Sequence, residues 1–281
     1  MTIPPHGTAS PTDTLLGQQT DYPVRYAPEV LFPIPRQDGR AALGLVGDSL
    51  PFHGVDIWTH YEVSWLDAAG KPLIAVAEIR VPATSPFLIE SKSLKLYFNS
   101  LNFERFPNQA DFVQRVEVDL SRVAAATVQI RLLLPDDPAA LRMGQLPGTC
   151  LDTLPLSCSE FVLDASHLHA DPTRIVSETI NTQLLRSLCP VTHQPDWGSV
   201  MLQYKGPAID HAGFLAYIVS FRNHPDFHEQ CVERIFMDTL RQCQPTELTV
   251  YARYTRRGGL DINPFRCNVA SQPLDVRLFR Q

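Results

Sequence analysis

An α+β chain of two tandem modules is expected, on three observations. Residues 55–66 alternate apolar and polar side chains as a half-buried strand does. Residues 94–101 and 111–123 space their apolar side chains as amphipathic helices do. The second half then returns to the same order, with matched residues. Ile89, Tyr97 and Ser100 correspond at one constant offset to Ile209, Tyr217 and Ser220. Val113-Gln114-Arg115-Val116 matches Val232-Glu233-Arg234-Ile235, Asp119 matches Asp238, and Val128 and Arg131 match Val250 and Arg253. Any two amphipathic helices share some matches; the repeated order of elements is what favours an internal duplication.

In the first strand Ile57, Thr59, Tyr61, Val63 and Trp65 are expected on one face, with Trp58, His60, Glu62 and Ser64 on the other. Ala68-Ala69-Gly70-Lys71 makes a turn, and residues 73–81 return as a second strand. After the two helices a third strand is expected at 127–134. Residues 135–155 hold several Pro and Gly and little periodicity. They mark the boundary between a first module, residues 23–150, and a second, residues 151–281. In the second module 172–188 reads as a helix, 200–204 as a strand, 214–221 and 227–240 as helices, and 248–254 as a strand. Residues 1–22, rich in Pro and Thr, lack the charged start and apolar run of a signal peptide and read as a loose arm.

Composition narrows the function. The 281 residues are 44% apolar and 19% charged, enough apolar surface for a sizeable core. A net charge of −6 argues against a nucleic-acid surface, whose affinity is carried by Lys and Arg at phosphates. No stretch approaches the roughly 20 apolar residues needed to span a bilayer, so a cytoplasmic protein is expected. The six cysteines form no CxxC pair, and most are expected as buried apolar side chains.

Four stretches carry chemistry. In Cys189-Pro190-Val191-Thr192-His193-Gln194-Pro195-Asp196-Trp197, two prolines stiffen a turn that could bring a thiol and a carboxylate to one pocket. The thiolate is the nucleophile, so such a site must lower a thiol pKa from about 8.5. A carboxylate alongside opposes that unless it is protonated, and burial beside Trp197 is expected to raise the pKa of Asp196 and make it a proton donor. The commoner role for a lone cysteine like Cys189 is structural. In Asp226-Phe227-His228-Glu229-Gln230-Cys231, Asp226 with Glu229 has the spacing of a capping box. Alternatively, Glu229 near a helix start stays ionised and accepts N–H groups from a guanine-like edge. Cys189, His193, His228 and Cys231 could instead hold zinc, although the spacings are loose for it. Ile89-Glu90-Ser91-Lys92-Ser93-Leu94-Lys95 opens a helix and offers either a phosphate site or a serine cap with a solvated lysine face. Beyond residue 254, Arg256-Arg257-Gly258-Gly259 could contact a phosphate, the glycine letting backbone approach closely. No Rossmann or Walker loop is present, so any dinucleotide binds outside those folds.

Together the four stretches resemble the NADPH-dependent 7-cyano-7-deazaguanine reductases, nitrile reductases of queuosine biosynthesis, in their long two-module form. Glu90-Ser91-Lys92-Ser93-Leu94-Lys95-Leu96-Tyr97 is similar to the family's nicotinamide-cofactor signature, and Cys189 in Cys-Pro-Val-Thr-His-Gln-Pro-Asp to its catalytic cysteine. The resemblance implies a tunnelling fold, related to GTP cyclohydrolase I, with an antiparallel sheet and two helices on one face in each module, and closure of a barrel as a homodimer. It implies Cys189 as nucleophile and Asp196 as proton donor. It implies Ile89, Glu90, Ser91, His228 and Glu229 around the base, and Ser91, Lys92, Arg257 and Gly258 at NADPH. No metal, nucleic acid or membrane enters the chemistry it implies. A hydrolytic enzyme needing no nicotinamide, a zinc enzyme of the same fold acting on a purine or pterin, and a non-catalytic purine-binding protein stay open beside it. A reversible Cys189–Cys231 disulfide that protects the nucleophile is a further expectation.

Overall fold

The computed structural model describes residues 21–47, 49–137, 143–158 and 161–281. The arm expected over residues 1–22 lies, except for its last two residues, outside them. The chain runs β1 (Pro33–Pro35), α1 (Arg36–Ala42), β2 (His53–Leu66), β3 (Pro72–Pro82), β4 (Phe87–Ile89), α2 (Ser91–Ser100), α3 (Gln109–Ala124) and β5 (Gln129–Leu133). It continues through β6 (Thr149–Cys150), β7 (Ala170–Leu188), β8 (Pro195–Ile209), α4 (His211–Ser220), α5 (His228–Cys243), β9 (Glu247–Tyr254) and β10 (Leu260–Cys267). One eight-stranded sheet, ordered β5-β3-β2-β10-β9-β8-β7-β6, joins both halves, and β1 pairs with β4 beside it. The architecture is α+β, as expected. Among the described residues no helix is long and apolar enough to cross a membrane.

Each half folds by the same steps: a long hairpin, two helices, then a strand beside the hairpin. Residues that matched in the sequence make matched bonds. The Tyr97 hydroxyl donates to Asp119 and the Tyr217 hydroxyl to Asp238, both at 2.7 Å. Ser100 and Ser220 each donate back to the carbonyl of the tyrosine three residues earlier, at 2.6 Å. Side-chain caps start the helices: Asn108 accepts from the Asp111 N–H and Asp210 from the Gly213 N–H. One core lies under α2 and α3, where Trp65 stacks on Phe112 at 4.5 Å, and another lies under α4 and α5 around Phe214, Phe236 and Leu202. A smaller apolar cluster of Met201, Tyr251 and Phe265 packs with Leu146 and Leu278.

Two local expectations are corrected, and one strand is added. Residues 172–188 form strand β7, not a helix, antiparallel to β8 along its length. Their apolar residues do recur at helical spacing, yet Thr173, Ile175, Val176, Thr179, Ile180 and Thr182 are β-branched and fit a pleated surface better. In β2 the register with β3 shifts between His60 and Val63. That bulge moves Trp58 into the same core as Val63 and Trp65, whereas strict alternation had placed it opposite them. Finally, residues 260–267, for which no element was expected, form β10, and it is the seam of the sheet. It pairs with β2 from Leu260 opposite His60 to Cys267 opposite His53, and with β9 on its other edge.

Candidate active site

The site gathers where β7 turns into β8 against the starts of α2 and α5. Leu188 ends β7; its N–H donates to the His224 carbonyl, and its carbonyl accepts from the Asp226 N–H, which ties the hairpin end to the segment leading into α5. Cys189 follows. Its N–H donates to the Gln194 carbonyl at 3.0 Å and its carbonyl accepts from the His193 N–H at 2.9 Å, which closes the loop. His193 takes a left-handed backbone, φ 55°, to make that turn. The Cys189 thiol is buried.

Strand alternation after Pro195 turns Asp196 inward, 7% exposed, and Trp197 outward, 39% exposed. Trp197 lies under the guanidinium groups of Arg186 and Arg222, at 5.3 and 5.4 Å from its ring. The expectation of an Asp196 buried beside Trp197 with a raised pKa is therefore corrected. Its polar neighbours are His228, with Nε2 3.4 Å from Oδ2, and Arg257, with Nη1 3.0 Å from Oδ1. Burial pushes the carboxyl up, but the contact with His228 and the charges of His228, Arg257 and Lys95 outweigh it and hold Asp196 below the usual carboxylate range. Asp196 is a carboxylate at neutral pH.

His228 and Glu229 open α5. The His228 ring packs on the Tyr254 ring, centroids 4.0 Å apart. The helix start is closed by Gln230, whose side-chain oxygen accepts from the Phe227 N–H at 3.2 Å. Glu229 is thus not the capping-box carboxylate that the spacing allowed. It is buried, 3% exposed, and its Oε1 has no hydrogen-bond partner among the described residues. Burial first, then the nearby Asp56 carboxylate, pushes it up to about 7. Glu90 caps α2, accepting from the N–H groups of Lys92 at 2.7 Å and Ser93 at 2.6 Å, so the cap is this glutamate and not a serine. Burial raises its pKa against those two bonds.

One cavity is lined by Ile89, Glu90, Ser91, Cys189, Asp196, His228, Glu229 and Arg257, together with Ile34, Trp58, Leu88, Pro190, Phe227 and Ile262. A neighbouring cleft is lined by Ser91, Lys92, Arg257 and Gly258, together with Lys95, His60, Glu62, Thr192, Gln194, Tyr22, Asn99 and Asn102. Ser91 and Arg257 border both. All ten residues that the family resemblance implies at base, cofactor or chemistry thus fall on one cavity, on the cleft beside it, or on both.

Lys95, the second lysine of the stretch that opens α2, lies one turn beyond Ser91 on the same face and lines the cleft as expected of a phosphate site. Trp58 has a buried indole N–H without a partner among the described residues; only the β2 bulge brings it here, and no sequence signal announced that. Cys231 is buried on α5. Burial and the Asp226 charge push its thiol up, and both Cys189 and Cys231 are free thiols. Among the described residues no group of three or more His, Cys, Asp or Glu is placed to hold a metal ion, so the four-ligand zinc set is not assembled.

Comparison with known proteins identifies the family. Residues 22–132 match a family described as "Nitrile reductase, 7-cyano-7-deazaguanine-reductase N-term", and residues 195–273 match one described as "QueF-like protein". Proteins named NADPH-dependent 7-cyano-7-deazaguanine reductase align over nearly the whole chain. That of Chromobacterium violaceum is 52% identical over 97% of this chain and 98% of its own. That of Bordetella avium is 52% identical over 96% and 99%, and that of Hydrogenovibrio crunogenus 49% identical over 98% and 99%. The chain belongs to the family of the NADPH-dependent 7-cyano-7-deazaguanine reductases.

Proposed function

We propose that the chain reduces the nitrile of 7-cyano-7-deazaguanine to the aminomethyl base with NADPH, a step of queuosine biosynthesis, through a covalent thioimide on Cys189. The observation that carries this reading is the meeting in one cavity of a thiol, a His–Asp pair and two buried carboxylates, beside a cleft rich in Lys and Arg. Glu90 and Glu229 hold the base by accepting its ring N–H and exocyclic amine, each charge-assisted bond contributing about 1.5–3 kcal/mol. A base donating to Glu229 supplies the partner its Oε1 lacks. Ile89, Ser91 and His228 border the rest of the ring.

Sulfur of Cys189 adds to the nitrile carbon and forms the C–S bond. The proton that leaves the thiol passes through Asp196 to the nitrile nitrogen. Because Asp196 starts ionised, it acts as a relay, first accepting and then donating, with His228 and Arg257 stabilising its charge between the two transfers. The resulting C=N bond is more electrophilic than the nitrile, which accepts hydride poorly.

The cleft suits a phosphorylated dinucleotide. Lys92, Lys95 and Arg257 supply positive charge, and Gly258 holds a left-handed φ of 60° where a Cβ would approach Lys95 Nζ to 3.2 Å. Bound there, NADPH supplies hydride twice, the four electrons that turn a nitrile into an amine. Hydride addition at the thioimide carbon breaks the C–S bond, returns the thiolate to Cys189 and leaves an imine, which the buried walls of the cavity shield from water until the second transfer.

An open eight-stranded sheet, antiparallel except at the short edge strand β6, with paired helices over each half, supports a tunnelling fold in two modules, 23–150 and 151–281, and closure by a second copy as a homodimer. The deciding experiment is mass spectrometry of the full chain mixed with the cyano base and no NADPH. The expected mass gain equals the intact base and disappears in Cys189→Ala. No adduct, or a gain that survives Cys189→Ala, rejects the mechanism. Turnover without oxidation of two NADPH per base would favour the hydrolytic alternative.

A further inference from the structure

Behind Glu229 lies a cluster of charged side chains that the reaction does not touch. Arg36 and Arg40 come from α1, Asp56 from β2, Glu233 from α5 and Arg266 from β10, and all five are buried. Asp56 bridges two arginines, Oδ2 to Arg36 Nη2 at 2.5 Å and Oδ1 to Arg266 Nη1 at 2.7 Å. Glu233 accepts from Arg40 Nε and Nη2 at 3.0 and 2.8 Å, and from Arg266 Nε and Nη2 at 3.1 and 2.9 Å. Glu233 stands one helical turn after Glu229 on the same face of α5. Three guanidinium groups thus stand against two carboxylates, a surplus of one positive charge in the protein interior.

We propose that this cluster is a positioning network for the base site: it fixes the start of α5 through Glu233, and its surplus charge is the counter-charge that lets Glu229 ionise and accept the base. The proposal rests on the reading of Glu229 as the base's anchor. Isolated buried charge is costly, so a surplus that is neutralised only when a nearby carboxyl ionises must favour that ionisation. The groups acting most strongly on Glu229 are Asp56 on β2, His228 on α5 itself and Arg36 on α1. Glu90, Asp196, Cys189 and Arg257 border the same cavity from α2, the β7–β8 turn and the segment after β9. Asp56 raises the pKa of Glu229, and Arg36 and His228 lower it. Changes at Asp56 and Arg36 should therefore move it in opposite directions, which loss of packing cannot imitate.

The experiment measures affinity of the full chain for the cyano base between pH 5 and pH 9, in a Cys189→Ala background that blocks the covalent step. Affinity should rise with pH and level off once Glu229 is ionised. Asp56→Asn should move the midpoint down by about one pH unit and tighten binding about ten-fold below it. Arg36→Met should move the midpoint up by about as much, and Arg36→Lys, which keeps the charge, should leave it in place. Equal shifts in one direction, no shift in either variant, or an Arg36→Lys profile like that of Arg36→Met each overturn the proposal. Should Arg36→Met fail to fold, the isosteric Asp56→Asn decides alone by the sign of its shift. Glu229→Gln separates the two layers. Undiminished affinity in Glu229→Gln removes the anchor reading and the proposal with it. Lost affinity there, with an Asp56→Asn profile that does not move, removes only the network's role.

Discussion

Glu229 is where the site and the stability of the chain oppose each other. A carboxyl that is ordinarily near 4.5 is pushed up to about 7, because ionising it strips water from a charge whose Oε1 finds no protein partner. The folded chain therefore holds a proton on Glu229 between pH 4.5 and about 7 that the unfolded chain has released. Stability falls as pH rises through that window and stays reduced above it, by about 3 kcal/mol at most. Glu229→Gln removes the charge and should raise the melting temperature at pH 8 by several degrees while changing it little at pH 4.5. Scanning calorimetry at the two pH values checks this, and an equal change at both would show that burial of the charge is not what costs stability. The same substitution should weaken base binding about 100-fold, since Gln keeps only one, uncharged acceptor oxygen and turns an N–H toward the base. A destabilising group retained at a cavity wall is what a ligand anchor looks like. Residue types at the site were legible in the sequence: Cys189, Asp196, Glu90, Glu229, Lys92 and Arg257 all border one cavity or its neighbouring cleft. Their charge states were not. Asp196 was expected neutral and is ionised, because Arg257 and His228, both more than 30 positions away in sequence, decide the matter.

Among the elements, the turn from β9 to β10 carries the most function in the fewest residues. Gly258 holds φ 60° and Gly259 φ 73°, backbone that side chains resist by roughly 1–2 kcal/mol. At Gly258 an added methyl also crowds Lys95 across the cleft. Gly258→Ala should raise the KM for NADPH about ten-fold and leave affinity for the cyano base unchanged. Steady-state kinetics and base titration read the two separately, and an unchanged KM would remove this turn from the cofactor site. Both glycines were visible in the sequence, but the strand that follows was not. Leu260–Cys267 is buried along its whole length, so neither alternation nor helical spacing marks it, and Asp261, Asn263 and Arg266 look like loop residues until their partners are known. Asp261 and Asn263 bond each other, the Asn263 side-chain N–H donating at 2.5 Å, and Asp261 also accepts from Tyr61 on β2. The helix expected at 172–188 failed for the opposite reason: apolar spacing fitted a helix, while pairing with β8 over the whole strand supplied a tertiary preference that spacing cannot express. Strands β2 and β3 and the four longer helices were legible because one face of each meets a core and the other meets water or polar side chains.

For the whole molecule, the seam between β10 and β2 decides whether two repeated halves behave as two domains or as one. Eight consecutive residue pairs join them, and the charge cluster spans the same seam, with Arg36, Arg40 and Asp56 on one side and Glu233 and Arg266 on the other. Opening the seam would expose two strand edges and leave buried charges without their partners, at about 3–5 kcal/mol for each broken buried pair. That penalty is comparable to the stability of a small domain, so neither half should survive the loss of the other. The tryptophans allow a direct test. Trp58 and Trp65 report on the first half and Trp197 on the second. In Trp197→Phe, a change at a partly exposed position under two guanidinium groups, fluorescence follows the first half alone, whereas far-UV circular dichroism follows both. A single cooperative unfolding with coincident midpoints is expected. A circular-dichroism curve in two steps, with fluorescence tracking only one of them, would mean that the halves unfold independently; the site, which draws Glu90 from one half and Cys189 from the other, would then be held together by something other than this seam.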